Sequence, residues 1–336
     1  MKDLEITLRD VYMARGKVGE VALRTPVFDA ERLGKAIGRR VVLKAENLQE
    51  TGSFKIRGAA NKILGLKETE RKRGVLAVST GNHGRAVAYV AQRVGVPAVV
   101  CVSAAVPENK LAAIRALGAE LVIAGKTYDE AAEQAEQLKE ARGLTMVHPF
   151  DDPDIIAGQG TIGVEVLEDF PEVDTAVVPL SGGGLIGGIG LALKSASEDI
   201  RVIGVSMTRG PAMVDSLKAG KVVEVVEEPT LADALAGGIG TDNRHSFRMA
   251  QRVIDASVLV TESEIAGGMV YALDEHHLVL EGAGAVGLAA LLYGKVTGLG
   301  KNVMVVLSGG NVEVEILASI AEKRKGWYED MVLGDM

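Results

Sequence analysis

The sequence predicts an α/β fold in which mostly parallel sheets carry helices on both faces. Short runs rich in β-branched residues alternate with longer helical patterns nearly throughout the 336 residues, and this alternation is typical of βαβ units. Glycine is abundant, with 41 residues, which is expected of many tight turns between strands and helices. Several predicted strands end in small and polar residues. Because ligands of such folds gather at the carboxyl ends of the strands, we expect a ligand-binding protein.

The predicted elements follow from these runs. Strands are predicted at residues 41–45, 75–79, 98–102, 120–123, 145–148, 175–180, 201–205, 258–261 and 302–307. The clearest helices are predicted at residues 56–73, 83–94, 108–117, 128–142, 185–196, 245–256, 263–274, 285–293 and 312–323. Residues 75–148 contain four strand–helix repeats, which indicates a compact unit.

The composition excludes several classes of protein. Lysine and arginine number 37 against 45 acidic residues, so the formal net charge is −8, and neither nucleic acid nor an anionic membrane is an expected partner. No apolar run reaches membrane-spanning length. The first residues are charged, unlike a signal peptide, and the single cysteine, Cys101, lies in an apolar predicted strand. We therefore expect a cytoplasmic protein without disulfides.

The first candidate for chemistry is Lys55. It stands between a predicted strand and a predicted helix, with Gly52 before it and Gly58 after it. A lysine at such a junction can project from a rigid frame into a cleft, and burial there disfavours its ammonium form, so that the amine can act as a nucleophile. The alternative is a solvated lysine at the start of a helix, and the choice depends on the rest of the chain.

A glycine loop follows the predicted strand 175–180. Its three consecutive glycines, 182–184, allow backbone N–H groups to approach an anion at the start of the next helix, and phosphate is the natural ligand. The segments 182–187 and 282–287 also fit the dinucleotide pattern GxGxxG. Residues 288–312 lack the acid that should follow the second pattern. After the first, Ser206 and Arg209 could hold a 2′-phosphate, so an NADP-dependent oxidoreductase stays an alternative.

Two further strand ends carry polar residues. The turn 79–84 (STGNHG) can offer backbone N–H groups, two hydroxyls and an amide to a carboxylate or a phenolic oxygen. Ser308 follows the predicted strand 302–307, and its hydroxyl can face a ring nitrogen. Helix capping is the alternative interpretation of both segments. The chain has no HExxH, CxxC or GxSxG motif, so we predict neither a zinc-type metal site nor a serine-hydrolase elbow.

Together these segments resemble the serine/threonine dehydratase family of fold-type-II pyridoxal-phosphate enzymes, which includes threonine ammonia-lyases and serine racemases. The likeness covers most of the chain in the family's order. The matching segments are 46–49 (ENLQ), 53–59 (SFKIRGA), 79–84 (STGNHG), 181–185 (SGGGL), 281–285 (EGAGA) and 307–311 (LSGGN). The resemblance implies two three-layer αβα domains with mostly parallel sheets. Residues 1–67 and 149–336 would form a large cofactor-binding domain, into which a small domain of residues 74–148 is inserted.

The resemblance also implies a role for each candidate residue. Lys55 would be the catalytic residue and would bind pyridoxal 5′-phosphate as a Schiff base. The other residues expected to bind the cofactor are Phe54, Asn82, Ser181, Gly182, Gly183, Gly184, Leu185, Glu281, Ser308 and Gly309. Among these, Asn82 would bind the cofactor's 3-oxygen, the glycine loop its phosphate and Ser308 its ring nitrogen. The residues expected to bind the substrate carboxylate are Ser79, Thr80, Gly81, Asn82 and His83.

Four departures from the family pattern modify these expectations. Ser181 stands where the phosphate loop usually has a further glycine, and its hydroxyl can add a donor. Ser206 and Ala212 replace acids that bind a divalent cation in some members, so we predict no such cation. Thr80 stands where the racemase has a serine base, which disfavours racemisation. The chain ends at residue 336 without a C-terminal regulatory domain, so feedback by isoleucine is not expected.

The implied activity is that of a pyridoxal-phosphate-dependent ammonia-lyase. It would convert a β-hydroxy amino acid such as L-threonine or L-serine to a 2-oxo acid and ammonia, and the neutral Ser308 favours elimination over transamination. The segment 206–210 (SMTRG) and Ser181 resemble a hydroxyectoine-utilisation subgroup, in which Arg209 would either contact a second anionic group or be a surface charge. Other interpretations stay open. The substrate can be 3-hydroxyaspartate or a hydroxyectoine-derived amino acid, the reaction can be serine racemisation, or the protein can be a non-catalytic sensor. The family suggests a homodimer.

Overall fold

The computed structural model describes residues 6–79, 81–104, 108–126, 128–323 and 330–333. Its strands are β1 (Val27–Asp29), β2 (Arg40–Ala45), β3 (Val75–Val78), β4 (Ala98–Val102), β5 (Glu120–Ile123), β6 (Thr145–Met146), β7 (Thr175–Pro179), β8 (Arg201–Met207), β9 (Ala256–Val260) and β10 (Asn302–Leu307). Its helices are α1 (Leu8–Val18), α2 (Glu31–Ile37), α3 (Lys55–Leu64), α4 (Glu68–Arg73), α5 (Asn82–Val94), α6 (Glu108–Ala116), α7 (Tyr128–Arg142), α8 (Pro153–Asp169), α9 (Gly184–Ala196), α10 (Ala212–Ala219), α11 (Ser246–Val253), α12 (Glu262–His276), α13 (Gly282–Leu292) and α14 (Val314–Glu322).

The predicted strands are all present, and their ends move by two residues at most. The short strand β1 was not predicted, nor were α1, α2, α8 and α10. The prediction of one continuous helix over residues 56–73 is wrong. Helix α3 ends before Gly65, and α4 begins at Glu68 after Lys67, whose ψ of 155° is extended. Within the described residues, no helix is both long enough and apolar enough to span a membrane.

The larger sheet has six strands in the order β1-β2-β10-β7-β8-β9. All neighbours in it are parallel except β1, which pairs antiparallel with β2 at one edge. Because side chains alternate along a strand, the sheet presents an apolar surface on each face. On β10, Val303 and Val305 pack into the core under α12 and α13, while Met304 and Val306 pack into the core under α8 and α9.

The smaller sheet has four parallel strands in the order β5-β4-β3-β6. It too is covered on both faces. Leu76 and Cys101 pack under α7, whereas Ala77 packs with α3 and α5. The strands of this sheet come from the region predicted to form the inserted domain, and the domain boundaries themselves stay a prediction.

The topology brings the ends of several strands to one cleft of about 1550 Å³. Residues just after β3, β7 and β10 line it, together with the start of α3. This is the position at which parallel α/β sheets bind ligands.

Candidate active site

Lys55 is the first residue of α3, and the loop before it is tied to the end of β10. The backbone N–H of Phe54 donates to the carbonyl oxygen of Ser308 at 3.1 Å, and Ser53 forms an isolated β-bridge with Gly309. These bonds place the start of the helix beside the strand end that carries Ser308. The Lys55 side chain thereby projects from a fixed backbone into the cleft.

The amine of Lys55 is held without a direct ion pair among the described residues. Its Nζ donates to the carbonyl oxygen of Pro149 at 2.8 Å and lies 5.2 Å from the centre of the Phe54 ring. Burial lowers the pKa of Lys55 to about 8, and the carboxylate of Glu281 opposes this shift only in part. A large fraction of the amine is therefore neutral at mildly alkaline pH, as a nucleophile or proton acceptor requires.

The glycine loop between β7 and α9 forms a cradle that side chains would fill. A β carbon on Gly182 would lie 2.3 Å from the Phe150 ring, and one on Gly184 would lie 2.9 Å from the Phe150 carbonyl oxygen. Gly183, with φ of +85°, provides the left-handed turn into the helix. The first N–H groups of α9, from Gly184 and Leu185 onward, have no partner within the helix. This arrangement suits a phosphate.

Asn82 begins α5 and is held between two groups from the other side of the cleft. Its Nδ2 donates to Oε1 of Glu281 at 2.7 Å, and its Oδ1 accepts from Nδ2 of Asn311 at 2.6 Å. The carboxylate of Glu281 is 5% exposed and precedes α13. Asn82 therefore connects the residues after β3 with those after β10.

His83 lies in the cleft wall as a buried neutral ring. Burial lowers its pKa to about 3, and the amine of Lys55 contributes to the shift. Its Nε2 lies 2.7 Å from the carbonyl oxygen of Val147. Because a carbonyl only accepts, we assign the ring proton to Nε2, which leaves Nδ1 as an acceptor. The His83 side chain thus has no proton to offer a carboxylate, and a contribution from this residue must come from its backbone.

The other members of the predicted carboxylate loop are placed as follows. Ser79 and Gly81 line the cleft, and the Ser79 hydroxyl accepts from the N–H of Gly81 at 3.3 Å. Thr80 lies outside the described residues. The free N–H groups at the start of α5 carry the partial positive charge of a helix N-terminus, and this charge attracts an anion.

Ser308 and Gly309 follow β10; Ser308 lines the cleft, and Gly309 bridges to Ser53. The Ser308 hydroxyl is 3% exposed and donates to the carbonyl oxygen of Ala283 at 3.3 Å. A β carbon on Gly309 would lie 2.3 Å from Oε1 of Glu281, so only glycine permits this close approach. Ser181, two residues after β7, lines the same cleft.

The segment 147–151 was not predicted to take part in the site. The backbone of Val147 accepts from His83, that of Pro149 accepts from Lys55, and the ring of Phe150 supports the glycine loop. The carboxylate of Asp151 accepts three backbone N–H groups, each at 2.8 Å, at the start of α11. Asp151, shortly after the predicted strand 145–148, was the available signal. The contacts of Val147 and Pro149 gave none, because they use backbone carbonyl oxygens.

A cluster of four buried charges lies behind Lys55. Arg57, two residues after Lys55, forms two hydrogen bonds of 2.8 Å with Glu46 and two of 2.6 and 2.8 Å with Glu165. Lys44 donates to Glu165 at 2.6 Å. Burial opposes ionisation of Glu46, but Arg57 outweighs it and lowers the Glu46 pKa. The cluster has two charges of each sign and joins α3 to β2 and α8.

Some sequence candidates lie elsewhere. Ser206 is 2% exposed and contacts Met207, whereas Arg209 is exposed and its guanidinium donates to the carbonyl oxygen of Pro229. They do not form the 2′-phosphate site that an NADP-dependent enzyme would need. Cys101 is buried, and burial raises its pKa to about 11. In the part of the chain that the structure describes, no three His, Cys, Asp or Glu side chains form a metal-binding group.

The family described as "Pyridoxal-phosphate dependent enzyme" matches residues 20–309. A putative threonine dehydratase of Sinorhizobium fredii is 48% identical over 309 residues, which are 92% of this chain and 93% of that protein. The L-threonine ammonia-lyase of Thermotoga maritima is 44% identical over 334 residues, 98% of this chain and 82% of that protein. Threonine deaminase isoform 2 of Solanum lycopersicum superposes with a TM-score of 0.87 at 34% identity, covering 94% of this chain and 86% of that one. The chain therefore belongs to the pyridoxal-phosphate-dependent enzymes of fold type II and, within them, to the serine/threonine dehydratase family.

Proposed function

We propose that this protein is an ammonia-lyase that converts a β-hydroxy amino acid, threonine or serine, to a 2-oxo acid and ammonia. The supporting observation is a partly buried lysine, Lys55, whose pKa of about 8 and position on the same cleft as the glycine cradle suit a pyridoxal-phosphate enzyme. The named activities of the bacterial relatives, a putative threonine dehydratase and an L-threonine ammonia-lyase, support this choice of substrate.

The residues present fit pyridoxal phosphate. The cradle of Gly182, Gly183 and Gly184 has no side chains and lies at a helix N-terminus, so it would hold the phosphate. Asn82 and Ser308 would hold the ring's oxygen and nitrogen, and the Lys55 amine would hold its aldehyde carbon. When bound, pyridoxal phosphate supplies an electron sink for negative charge that develops at the Cα of the amino acid.

Lys55 would move the proton. Its amine, when neutral and free, can accept the Cα proton, because a base with a pKa near the working pH combines availability with driving force. The Pro149 carbonyl, 2.8 Å from Nζ, accepts one N–H and so restricts where the amine can lie. This restriction directs the lone pair without adding a negative charge that would raise the pKa again.

The start of α5 would bind the substrate carboxylate. Ser79 and the first residues of α5 line the same cleft as Lys55. The neutral His83 ring would shape the wall without donating to the carboxylate, since its proton is used on Val147. A neutral Ser308 beside the ring nitrogen favours elimination over transamination.

Threonine and serine are favoured over substrates with a second anionic group. Arg209, which was considered as a partner for such a group, is exposed and its guanidinium donates to the carbonyl oxygen of Pro229. We therefore place 3-hydroxyaspartate and a hydroxyectoine-derived amino acid behind threonine and serine. Racemisation is also placed behind elimination, because threonine stands at position 80 where the racemase has a serine base.

An absorbance spectrum before and after borohydride tests the proposal. We expect a band at roughly 410–420 nm, as for lysine-bound pyridoxal phosphate, that reduction removes, with the adduct on Lys55. Release of 2-oxo acid from threonine, serine and 3-hydroxyaspartate then ranks the substrates. Absence of the band after addition of pyridoxal phosphate would contradict the proposal, and a band without turnover would favour a sensor.

We also propose a cytoplasmic homodimer that needs no divalent cation. Exposed apolar side chains on and near α14 support an interface between copies: Val314 is 75% exposed, Val279 42% and Ile316 40%. Light scattering with the cofactor bound should give twice the chain mass. Activity should be unchanged by a chelator, and tight binding of Mg²⁺ or Ca²⁺ in calorimetry would contradict the cation prediction.

A further inference from the structure

Four polar side chains form one continuous chain of hydrogen bonds across the cleft. The guanidinium of Arg85 donates to Oδ1 of Asn311. Nδ2 of Asn311 donates to Oδ1 of Asn82 at 2.6 Å, and Nδ2 of Asn82 donates to Oε1 of Glu281 at 2.7 Å. Arg85 and Asn82 belong to α5, whereas Asn311 and Glu281 belong to segments beside β10 and α13. We call these four side chains the amide relay.

The two ends of the amide relay fix its direction. An arginine can only donate and an ionised carboxylate can only accept. With Arg85 at one end, the oxygen of Asn311 must face it, so the nitrogen of Asn311 faces Asn82. With Glu281 at the other end, the nitrogen of Asn82 must face the carboxylate. Each of these two amides therefore has one orientation that satisfies its neighbours, although either orientation would fit by shape alone.

The amide relay leaves one N–H donor for a ligand. The two N–H groups of Asn311 are matched by two acceptors, Oδ1 of Asn82 and the carbonyl oxygen of Thr51 at 2.8 Å. Asn82 uses one N–H on Glu281, and its second N–H has no acceptor among the described residues. Since Asn82 lines the cleft with Lys55, that N–H is available to an acceptor there.

We propose that Arg85 and Asn311 are positioning residues that orient Asn82 so that it presents an N–H donor, not its carbonyl oxygen, to the cofactor's ring oxygen. This inference rests on the proposed function. It gives Asn311 and Arg85, which touch neither the Lys55 amine nor the glycine loop in the described contacts, a defined role in binding the cofactor.

Two surrounding features support this assignment. Gly52 has φ of +73°, and a β carbon on it would lie 2.4 Å from Oδ1 of Asn311, so the backbone leaves space for this amide alone. Arg85 is part-buried, and the described residues offer it no carboxylate within ion-pair distance; its guanidinium donates instead to the neutral amide of Asn311. A positive charge placed on an amide oxygen polarises that amide and strengthens the bonds that follow it.

Asn311→Asp tests the direction of the relay with almost no change of shape. The new carboxylate would still accept from Arg85 and would gain a charge partner. It could not donate to Asn82, however, so its oxygen would face the oxygen of Asn82. Either the two oxygens stay opposed, or the Asn82 amide turns and sets its carbonyl oxygen against the Glu281 carboxylate; both arrangements lose a hydrogen bond at Asn82. Asn311→Asp also removes the donor to the Thr51 carbonyl oxygen, so a purely structural role would change the free energy of unfolding of the cofactor-free protein but leave the rate of cofactor release unchanged. Breaking the relay should instead speed that release.

Substitutions of Arg85 give a graded test. Arg85→Lys retains a donor-only cation and should keep the rate of cofactor release at or near that of wild type. Arg85→Met removes the constraint, and Arg85→Glu reverses it, because acceptors would then stand at both ends. Arg93→Glu is the matched control, since Arg93 lies on α5, is exposed and makes the same change in charge. We expect the rate of cofactor release to increase from Arg85→Lys to Arg85→Met to Arg85→Glu.

The measurement is the rate at which full-length holoenzyme releases cofactor into a scavenger, followed by absorbance. Asn311→Asp and Arg85→Glu should release it roughly tenfold to a hundredfold faster, the range for a hydrogen bond to a charged group. Their absorbance maximum should also shift, while Arg93→Glu stays at the wild-type rate. Release within twofold of wild type in both relay variants, or equal changes in Arg85→Glu and Arg93→Glu, would overturn the relay alone. A wild-type protein that never bound the cofactor would contradict the proposed function as well.

Discussion

The amine of Lys55 and the carbonyl oxygen of Pro149 are 2.8 Å apart, and this bond ties the candidate base to the segment that also supports the glycine loop. Phe150, the next residue, packs where β carbons on the loop glycines would lie. The distance between the amine and the phosphate cradle is therefore set by two consecutive residues. Changes in this segment should affect both ends of the cofactor site together.

Replacing Lys55 should remove activity and stabilise the protein that lacks cofactor. Lys55→Met should lower turnover by roughly 10²- to 10⁴-fold or more, the range for losing a positioned acid–base group. Because burial lowers the Lys55 pKa to about 8 from 10.5, the charged form is disfavoured in the fold. Cofactor-free Lys55→Met should therefore have a free energy of unfolding larger than that of wild type by on the order of 1–3 kcal/mol, and should unfold at a higher denaturant concentration.

The pH dependence gives the sign of that effect. Below pH 8 the wild-type amine is protonated both folded and unfolded, so the full cost of burying the charge is present. As pH rises from about 8 toward 10.5, the folded protein has already lost the proton and wild-type stability rises. The advantage of Lys55→Met should shrink across this window. A difference independent of pH would show that the amine is not buried in its charged form.

Gly182→Ala should disrupt the phosphate cradle. Its β carbon would lie 2.3 Å from the Phe150 ring, so the loop or the ring must move, at a cost of about 1–3 kcal/mol in stability. Cofactor affinity, measured by titration of absorbance, should fall with it. Gly238→Ala is the control, because this residue lines the same cleft and has open space around its β-carbon position. Equal losses in both variants would contradict a specific role for the loop.

A double-mutant cycle separates the clash from the loss of a glycine. Phe150→Ala makes room beside Gly182, so adding Gly182→Ala to it should cost less than Gly182→Ala alone. If Gly182→Ala costs the same stability with and without the Phe150 ring, the added methyl group does not clash with that ring, and its effect on cofactor affinity comes from contact with the ligand. Thermal unfolding of the four proteins gives the coupling free energy.

The sequence was sufficient for nine of the ten described strands but not for every helix. Predicted strands were recovered because buried parallel strands are short apolar runs with glycine-rich ends. Helix α8 was missed, and three of its residues, Gly158, Gly160 and Gly163, lower helix propensity. Their β carbons would lie within about 3 Å of backbone atoms of α3 and α9. These glycines therefore serve helix packing, which a local pattern does not reveal.

The residues of the candidate site were predicted where residue type gives a signal, and the backbone carbonyl contacts of residues 147–149 were missed. Lys55, the glycine loop, Asn82 and Ser308 were recognised from their residue types and lie on one cleft. The Pro149 carbonyl was not, because a carbonyl oxygen leaves no trace in residue type. The expectation for His83 also changes, since its neutral state depends on burial and on a backbone partner from a different strand end.

Breaking the buried charge cluster should strongly destabilise the fold. Arg57→Met leaves Glu46 and Glu165 buried with Lys44 as their remaining positive partner, and removal of one member of such a cluster typically costs about 3–5 kcal/mol. Arg142→Met is the control, because its bond with Glu120 joins side chains that are 45% and 50% exposed; the free energy of unfolding should change far less than in Arg57→Met. Denaturant unfolding measures both, and similar costs would contradict the prediction.

Asp151 should link the stability of the cleft wall to acid pH. Burial opposes ionisation of its carboxylate, but three backbone N–H groups at the start of α11 outweigh it and lower the Asp151 pKa. Its contribution is therefore fully present above the unfolded pKa of about 4 and is lost as pH falls through the lower folded pKa.

Asp151→Asn should cost roughly 0.5–2 kcal/mol at neutral pH and should raise the substrate KM, because residues 237–245 of the cleft wall precede α11. Asp152→Asn is the matched control, since Asp152 caps α8 and pairs with Lys62; it should lower stability without the same rise in KM. If the stability difference between wild type and Asp151→Asn persisted undiminished well below pH 4, the carboxylate charge would not be the source of the stabilisation.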